Sequence, residues 1–443
     1  MSATEQHDSS FVELRPPLDA AQARAEADRC LECGGPHAPA PCVVACPAGI
    51  DVPSFIASLA VGAPQEAAEA IFAENLLGGT CARVCPVEVL CEGACVLEHE
   101  GRRPIAVGAL QRYATDWAFA HRVPLRAAAA RNGRNVVVIG AGPAGLTCAG
   151  ELAARGYSVT VYDERKEMGG LVRYAIAPYR QVRDPLPDER HALEELGVEL
   201  RLGTKIGSRA ELEAISADAE AVFLGIGMGA DTEASFPGDD LPGVWESLVF
   251  IEALKTGPAP DVGNRTIVIG GGNTAIDVAR EALRLGTEEV TLLYRRGEAE
   301  MPAYRHEIEE AREEGVRFEL LTTPVRFLGT RRLEAVECRR MTLGEPDTSG
   351  RRRPLPLEGS EFTLLADTAV KAIGQQPRAE LVGWIEGLEL ERGTVLVDAE
   401  TGRTANPKFF AGGDAVNGGA SVVEAVRDGK RAAREIDRWL SNA

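Results

Sequence analysis

The spacing of apolar residues divides the chain into two regions. Between residues 19 and 127, apolar side chains recur at helical spacing and few are β-branched, as in 20–31 and 66–76, which predicts a region of short helices. The tract 126–133 (RAAAARNG) is interpreted as a linker, because it leads directly into the apolar run 136–139, where a different pattern begins. From that run onward the pattern is typical of an α/β fold.

A complete dinucleotide-binding pattern follows the linker. The predicted strand Asn135–Ile139 leads into a glycine-rich turn and a helix through residue 154, and a second strand, Ser158–Tyr162, ends at Asp163. The turn consists of Gly140, Ala141, Gly142, Pro143, Ala144 and Gly145. Its first glycine permits a tight turn, its second lets the backbone approach a pyrophosphate, and its third allows close helix–strand packing. With an acid at the ribose position and a helix N-terminus for the negative charge, this order predicts a nucleotide site rather than an ordinary turn.

The same pattern returns later in the chain. A strand at 266–269 precedes a second glycine-rich turn, and a helix through residue 285 and a strand at 289–293 follow it. The turn consists of Gly270, Gly271, Gly272, Asn273, Thr274 and Ala275. This repetition predicts a second, separate nucleotide site.

The second pattern ends in Arg295 and Arg296 instead of an acid. Paired guanidinium groups suit the 2′-phosphate of NADP better than the free ribose of NAD, so NADPH is favoured, with NADH as the alternative. The competing interpretation is that the arginines form surface ion pairs with the acidic residues that follow. Those residues are Glu298, Glu300 and Glu307.

Further segments are predicted to contact a flavin. Residues 372–375 directly follow a predicted strand. Residues 409–414 form another predicted strand that ends in glycines and an acid, and a helix follows from Ser421. Gly413 and Asp414 are candidate flavin contacts, because such an acid can hold a ribityl chain beside a helix N-terminus. Gly170 and Leu171 are assigned to the same cofactor.

Eight of the ten cysteines lie between Cys30 and Cys95, in two groups. The first group is Cys30, Cys33, Cys42 and Cys46, and the second is Cys81, Cys85, Cys91 and Cys95. One cysteine in each group, Cys46 or Cys85, directly precedes a proline, as in iron–sulfur ferredoxins. The spacing favours two cubane clusters, with structural zinc as the alternative, although only Cys30 and Cys33 form the C-x2-C pair that zinc ribbons favour.

Composition narrows the classes of function. A polar start without an apolar signal core predicts a cytoplasmic protein with reduced thiols rather than disulfides. The formal charge of −19 argues against nucleic acid as a partner. The sequence contains no run of 18 apolar residues, so no membrane span is predicted. With 45% apolar and 26% charged residues, the 443-residue chain has the composition of a globular protein of several domains.

Together these residues resemble the flavoprotein electron-input unit of dihydropyrimidine dehydrogenase, of the glutamate synthase small subunit and of ferredoxin–NADP oxidoreductases. The most specific stretches are 29–33 (RCLEC), 80–86 (TCARVCP), 90–95 (LCEGAC) and 301–303 (MPA). Segments 73–81 and 107–116 are most similar to the dihydropyrimidine dehydrogenase branch, in which a glutamine stands where Gln111 does, sixteen residues after Cys95. Two departures are an eight-residue gap between Cys33 and Cys42, longer than the family usually has, and Pro302 in place of a basic residue.

The resemblance implies the cluster ligands. One [4Fe–4S] cluster would be held by Cys30, Cys33, Cys42 and Cys95, and the other by Cys46, Cys85, Cys91 and Gln111, which leaves Cys81 as a non-ligand. This crossed pattern agrees with the ferredoxin rule that the cysteine before proline serves the other cluster.

The expected fold is α/β, with two Rossmann-like domains for FAD and NAD(P) preceded by an all-α domain that binds two iron–sulfur clusters. The expected domains are 1–127 for the clusters, 128–260 and 371–443 for FAD, and 261–370 for NAD(P)H. No catalytic acid or base is assigned, because hydride and electron transfer from NADPH through FAD to the clusters require none.

The expected enzyme is an NAD(P)H-dependent oxidoreductase subunit that passes electrons to a catalytic partner. The favoured partner is an FMN-containing dihydropyrimidine dehydrogenase subunit. The alternatives are the large subunit of glutamate synthase, a ferredoxin–NADP oxidoreductase-type role, and, from another class, a non-catalytic redox-sensing scaffold.

Overall fold

A computed structural model describes residues 11–35, 37–124, 126–347 and 350–442. Residues 1–10 of the predicted helical domain and Pro36 of its long cysteine gap lie outside this range. The chain forms two compact units. The larger contains 14–173, 183–229 and 377–443, and the smaller contains 230–376 together with 174–182 and the described residues before Leu14. We refer to them as the large unit and the small unit.

The first part of the large unit is helical, as predicted. Its helices are Ala20–Ala27, Pro41–Val44, Val52–Ala60, Pro64–Glu74, Gly78–Val84, Val96–His99 and Val107–Ala120, with a 3₁₀ turn at Val87–Val89. Four of these helices begin with a side-chain cap or a proline: the Asp51 side chain accepts a hydrogen bond from Ser54 N, for example, and a proline occupies the first turn of that helix. Their apolar faces bury side chains such as Phe55, Phe72 and Leu110.

The second part of the large unit is a five-stranded parallel sheet with helices around it. In spatial order its strands are Phe409–Ala411, Ala221–Leu224, Asn135–Ile139, Ser158–Tyr162 and Val198–Arg201. Its helices are Pro143–Ala154, Leu186–Glu195, Arg209–Ser216, Ala379–Gly383, Asp414–Asn417 and Val422–Ser441. The first three residues of the short helix Leu171–Tyr174 also belong to it. A two-stranded ribbon pairs Leu390–Glu391 with Thr394–Val395.

The small unit repeats this architecture. Its parallel sheet has the order Val244–Glu246, Thr368–Lys371, Arg265–Ile269, Glu289–Tyr294 and Arg317–Leu320. Its helices are Ser247–Thr256, Asn273–Arg284 and Arg305–Glu313, with 3₁₀ turns at Pro178–Arg180 and Glu298–Glu300. An antiparallel sheet of Thr322–Leu328, Ala335–Pro346 and Arg352–Leu365 was not expected from the sequence.

The predicted fold class is therefore confirmed. In both parallel sheets the first strand of the glycine pattern is central and buried after its first residue, which is why its sequence is continuously apolar rather than alternating. The structure groups 230–260 with the second nucleotide fold, whereas the sequence suggested the first. The reason is that strand Val244–Glu246 pairs with Thr368–Lys371, a contact that no local pattern encodes.

Candidate nucleotide and iron–sulfur sites

In the first glycine-rich turn, close packing against other protein atoms requires glycine at two positions. A third glycine has open space around it. A Cβ atom on Gly140, which has φ +104°, would lie 2.2 Å from the carbonyl oxygen of Gly225, and one on Gly145 would lie 1.9 Å from that of Gly140. A Cβ atom on Gly142 would meet nothing closer than 4.0 Å. Since no protein atom accounts for a glycine there, the open space fits the close approach of a pyrophosphate to the backbone.

Asp163 orders this turn. Its Oδ2 accepts a hydrogen bond from Ala141 N at 2.6 Å and its Oδ1 accepts one from Arg165 N at 2.7 Å. Gly170, with φ +53°, lies against the same turn, since a Cβ atom on it would be 3.0 Å from the Cα of Gly142. Leu171 follows and is partly exposed. Both predicted residues therefore lie at or next to the first turn.

Gly413 and Asp414 lie at the same edge of the sheet. Gly413 has φ +70°, and a Cβ atom on it would lie 3.0 Å from Cβ of Ala144, which belongs to the turn. Burial raises the pKa of Asp414, although its Oδ1 accepts a hydrogen bond from Ala420 N at 3.2 Å. Because ligands of open parallel sheets bind beyond the carboxyl ends of the strands, this arrangement fits one cofactor that touches both segments.

Gly225 is a residue of this site that the sequence interpretation missed. It directly follows the buried strand Ala221–Leu224, and its carbonyl oxygen is what excludes a side chain at Gly140. A buried strand that ends in glycine was a readable signal, but without the strand order nothing indicated that it faces the first turn.

The second glycine-rich turn has the same construction. A Cβ atom on Gly270 would lie 2.2 Å from the carbonyl oxygen of Ala372, and one on Gly271 would overlap the ring of Tyr294 at 2.5 Å. At Gly272 the nearest atom would be Cγ of Pro302, at 3.9 Å. Gly272, which precedes the helix as Gly142 does in the first turn, again faces open space, which fits a second nucleotide.

Segment 301–304 closes one side of this turn. Ala303 N donates to the carbonyl oxygen of Gly271 at 3.2 Å, and Tyr304 N donates to Oδ1 of Asn273 at 2.9 Å. Thr274 is exposed and Ala275 is buried beneath it. Segment 301–304 therefore positions the turn through one hydrogen bond to its backbone and one to the Asn273 side chain.

The two arginines have different environments. Arg295 is exposed, whereas Arg296 is buried and donates to Asp347 Oδ2 and to the carbonyl oxygen of Arg352, both at 2.8 Å. The acidic residues that offered the competing interpretation pair with other arginines. These pairs are Glu298 with Arg312, Glu300 with Arg352, and Glu307 with Arg180. Arg295 is thus the member of the pair whose side chain faces solvent.

Five cysteines line a cavity in the helical region, together with apolar side chains. They are Cys30, Cys33, Cys42 and Cys95, which the resemblance assigns to one cluster, and Cys91, which it assigns to the other. Burial and the neighbouring thiol of Cys30 raise the pKa of Cys42 to about 11. Without a metal these thiols hold their protons, and a bound cluster would replace the protons because its irons stabilise thiolates.

A second group of cysteine thiols lies deeper in the helical region. A hydrogen bond with Cys81, followed by burial, raises the pKa of Cys85, and the thiols of Cys46 and Cys91 add to the effect. The structure therefore brings Cys81 to this group.

Gln111 is buried, and its Nε2 donates to the carbonyl oxygen of Gly78 at 2.8 Å, so its Oε1 is the atom suited to bind iron.

Among the residues that the structure describes, no three His, Cys, Asp or Glu side chains converge as a ready site for a single metal ion. The cysteines that line the cavity supply the thiolate ligands by which proteins hold an iron–sulfur cluster.

Comparison with known protein families defines the class. Residues 7–123 match the family described as dihydropyrimidine dehydrogenase domain II, 4Fe-4S cluster, and residues 134–429 match pyridine nucleotide-disulphide oxidoreductase. The fold resembles that of FprA from Mycobacterium tuberculosis in complex with NADPH, with a TM-score of 0.59 and 20% identity over 70% of this chain and 85% of that one. The class is an oxidoreductase with an iron–sulfur domain before a pyridine-nucleotide domain.

The chain belongs to the family of the glutamate synthase [NADPH] small chains. It is 40% identical to the one from Halomonas elongata over 97% of this chain and 93% of that protein, and 36% identical to the one from Escherichia coli over 97% and 94%. It is also 38% identical to the NADP(+)-dependent formate dehydrogenase subunit beta of Moorella thermoacetica, over 91% of this chain and 60% of that protein. Among the described residues, no helix is long and apolar enough to cross a membrane.

Proposed function

We propose that this chain is the NADPH-oxidising subunit of a glutamate synthase and passes electrons through FAD and two [4Fe–4S] clusters to a large catalytic subunit. The observation that carries the proposal is the end-to-end match to glutamate synthase small chains, which covers 97% of this chain and 93% of the Halomonas protein. The relatives favour this partner, stated above as an alternative, over a dihydropyrimidine dehydrogenase subunit.

The chain's own residues would bind and orient the cofactors. The turn at Gly142, the carboxylate of Asp163, Gly170 and the segment Gly413-Asp414 would hold FAD, while Gly272, Asn273 and Arg295 would hold NADPH. NADPH supplies two electrons as a hydride and each cluster accepts one, so FAD, when bound, converts one kind of transfer into the other. For the clusters we propose the two ligand sets implied by the family resemblance, with Gln111 in the second.

The test is an anaerobic titration of the purified holoprotein with NADPH and then NADH, with iron and flavin analysis. We expect flavin bleaching by NADPH and about eight irons per chain. Addition of the large subunit of glutamate synthase should then restore glutamine-dependent glutamate formation. Flavin bleaching without glutamate formation would reject the partner, and no bleaching would reject the subunit's proposed activity.

A second candidate is electron input for another oxidoreductase. The specific observation is the 38% identity to the formate dehydrogenase beta subunit and the 37% identity to the NADPH-Fe(3+) oxidoreductase subunit beta of Geobacter sulfurreducens. This chain covers 60% and 64% of those proteins, so their whole activities would need further parts. NADPH-driven reduction of chelated Fe(3+) that matches the glutamate-forming rate would favour this candidate.

A further inference from the structure

The helix Val422–Ser441 is attached directly to the proposed FAD-binding residues. Oδ2 of Asp428 accepts a hydrogen bond from Gly413 N at 3.1 Å. A Cβ atom on the next residue, Gly429, would lie 2.2 Å from the carbonyl oxygen of Ala144, so only glycine allows the two helices to approach this closely. Two consecutive residues therefore fix this helix to both segments that would hold the flavin.

The third consecutive residue, Lys430, reaches into the cysteine region of the same unit. Its side chain is buried, and its Nζ donates to the carbonyl oxygens of Ala48 and Glu74, at 2.9 and 3.0 Å, and to the Glu74 carboxylate. All three donors of the ammonium group therefore have acceptors. Ala48 stands two residues after Cys46.

Lys430 also holds the turn that begins at Cys46. Its Nζ donates to the carbonyl oxygen of the Ala48–Gly49 peptide, and the N–H of the same peptide donates to the carbonyl oxygen of Cys46 at 2.9 Å. The lysine thus fixes the backbone position of a proposed cluster ligand without contacting the thiol itself.

Positive charge held near a cluster stabilises the reduced, more negative cluster and raises its reduction potential. Building on the function proposed above, we propose that Lys430 is a positioning residue that holds the Cys46 loop on the flavin-contacting helix and directs electrons from the flavin into the cluster ligated by Cys46. Reduced flavin loses two electrons and its protons, each of two oxidised clusters gains one electron, and NADPH is the only reductant needed.

The test uses the full-length holoprotein under anaerobic conditions. We compare K430M, which removes the charge and the hydrogen bonds, with K430R, which retains a cation. K371M is the matched control, because Lys371 is an equally buried lysine of the small unit, paired with Glu246 at 2.6 Å. For each variant we measure iron content, stopped-flow flavin bleaching by NADPH, subsequent cluster reduction, and the cluster midpoint potentials by electron paramagnetic resonance.

We expect K430M to retain its iron and to bleach at the wild-type rate, with cluster reduction slowed about tenfold and one midpoint potential lowered. K430R should recover both properties, and K371M should change neither. Wild-type potentials and cluster reduction in K430M would overturn the inference. So would loss of one cluster's iron in K430M with wild-type behaviour in K430R, which would assign Lys430 to cluster assembly alone. Failure of NADPH to bleach the wild-type flavin would instead reject the proposed function.

Discussion

Arg295 and Arg296 are adjacent in sequence but differ in what their side chains can do. The guanidinium of Arg296 is committed to Asp347 and a backbone carbonyl, while that of Arg295 is exposed beside the second nucleotide turn. A charge-assisted hydrogen bond contributes about 1.5–3 kcal/mol, so R295A should raise the Michaelis constant for NADPH by roughly 10-fold or more. The constant for NADH, which lacks the 2′-phosphate, should change little.

The measurement is a comparison of initial rates of dye reduction with both nucleotides. R305A is the control, since Arg305 is an exposed arginine on a nearby helix that pairs with Glu309. An equal rise for NADPH and NADH in R295A would contradict the assignment of the 2′-phosphate to this side chain. R296A should instead lower the melting temperature, because it removes a buried guanidinium that donates to Asp347 and to the carbonyl oxygen of Arg352.

Glu189 is a fully buried carboxyl whose pKa burial raises to about 7. It accepts hydrogen bonds from Thr80 N at 2.8 Å and Thr80 Oγ1 at 2.6 Å, and Thr80 belongs to the helix that carries Cys81 and ends just before Cys85. A carboxyl whose folded pKa exceeds its unfolded value near 4.5 stabilises the fold at low pH, and this contribution is lost as the pH rises toward 7. The loss amounts to roughly 3 kcal/mol at most.

We therefore expect E189Q, which stays neutral, to remove part of the fall in melting temperature between about pH 5 and pH 7.5. E194Q changes an exposed carboxyl of the same helix, whose partner Arg190 stays charged throughout this range, and should leave the pH dependence as it is. Thermal unfolding monitored by circular dichroism across this range is the measurement. Parallel pH profiles for wild type and E189Q would show that Glu189 is ionised throughout.

Gln111 and Cys81 are the two candidates for the fourth ligand of the second cluster, and the spacing of the cysteines does not decide between them. The structure groups Cys81 with Cys85, while the family resemblance assigns the ligand role to Gln111, whose amide nitrogen is already bound to Gly78. If the resemblance holds, C81S retains about eight irons and Q111A loses about half of them or shows an altered resonance signal. Iron loss from C81S with a normal Q111A would reverse the assignment.

At the scale of elements, the two strand–turn–helix motifs should fold normally with some glycine substitutions and be destabilised by others. Gly142 and Gly272 have extended backbones that any residue adopts, and a methyl group at either would fill space rather than meet protein. G142A should therefore fold normally and lose FAD. G272A should fold normally and raise the Michaelis constant for NADPH, because each methyl occupies the position of a pyrophosphate.

G145A is the matched control, because its methyl would lie 1.9 Å from the carbonyl oxygen of Gly140 and must separate the helix from the strand. Substitutions that overpack a buried contact typically cost about 1–3 kcal/mol, so G145A should melt at a lower temperature. Flavin content and melting temperature, measured together, separate the two effects. Normal flavin content in G142A would mean that the open space does not receive the pyrophosphate.

At the scale of the whole molecule, the proposed electron path predicts that activities can be separated. C42S removes a thiol of the cysteine-lined cavity, so transfer to the large subunit of glutamate synthase should fall by at least about 10-fold. NADPH-driven reduction of a quinone dye, which takes electrons in pairs from flavin, should persist. C338A is the control, because Cys338 lies buried in the antiparallel sheet. Equal loss of both activities in C42S would indicate a general folding defect.

The sequence predicts those parts of the structure whose rules are local. A glycine-rich turn between a buried strand and a helix is encoded within about 30 residues, so both nucleotide patterns and the α/β class could be read directly. The helices at Ala20–Ala27 and Pro64–Glu74 were readable for the same reason, through apolar spacing. The antiparallel sheet was not, because its exposed strands lack a continuous apolar signal.

The sequence by itself determined that this chain has two nucleotide turns and a cysteine-rich helical region, because strand, turn and ligand spacings lie along a continuous stretch of backbone. Only the tertiary structure decided that Arg296 is buried, that Cys81 joins the deeper thiol group, and that Lys430 contacts Ala48, 382 residues away. Such contacts follow from how elements pack against one another, and the free energy of packing depends on surfaces that no single segment contains.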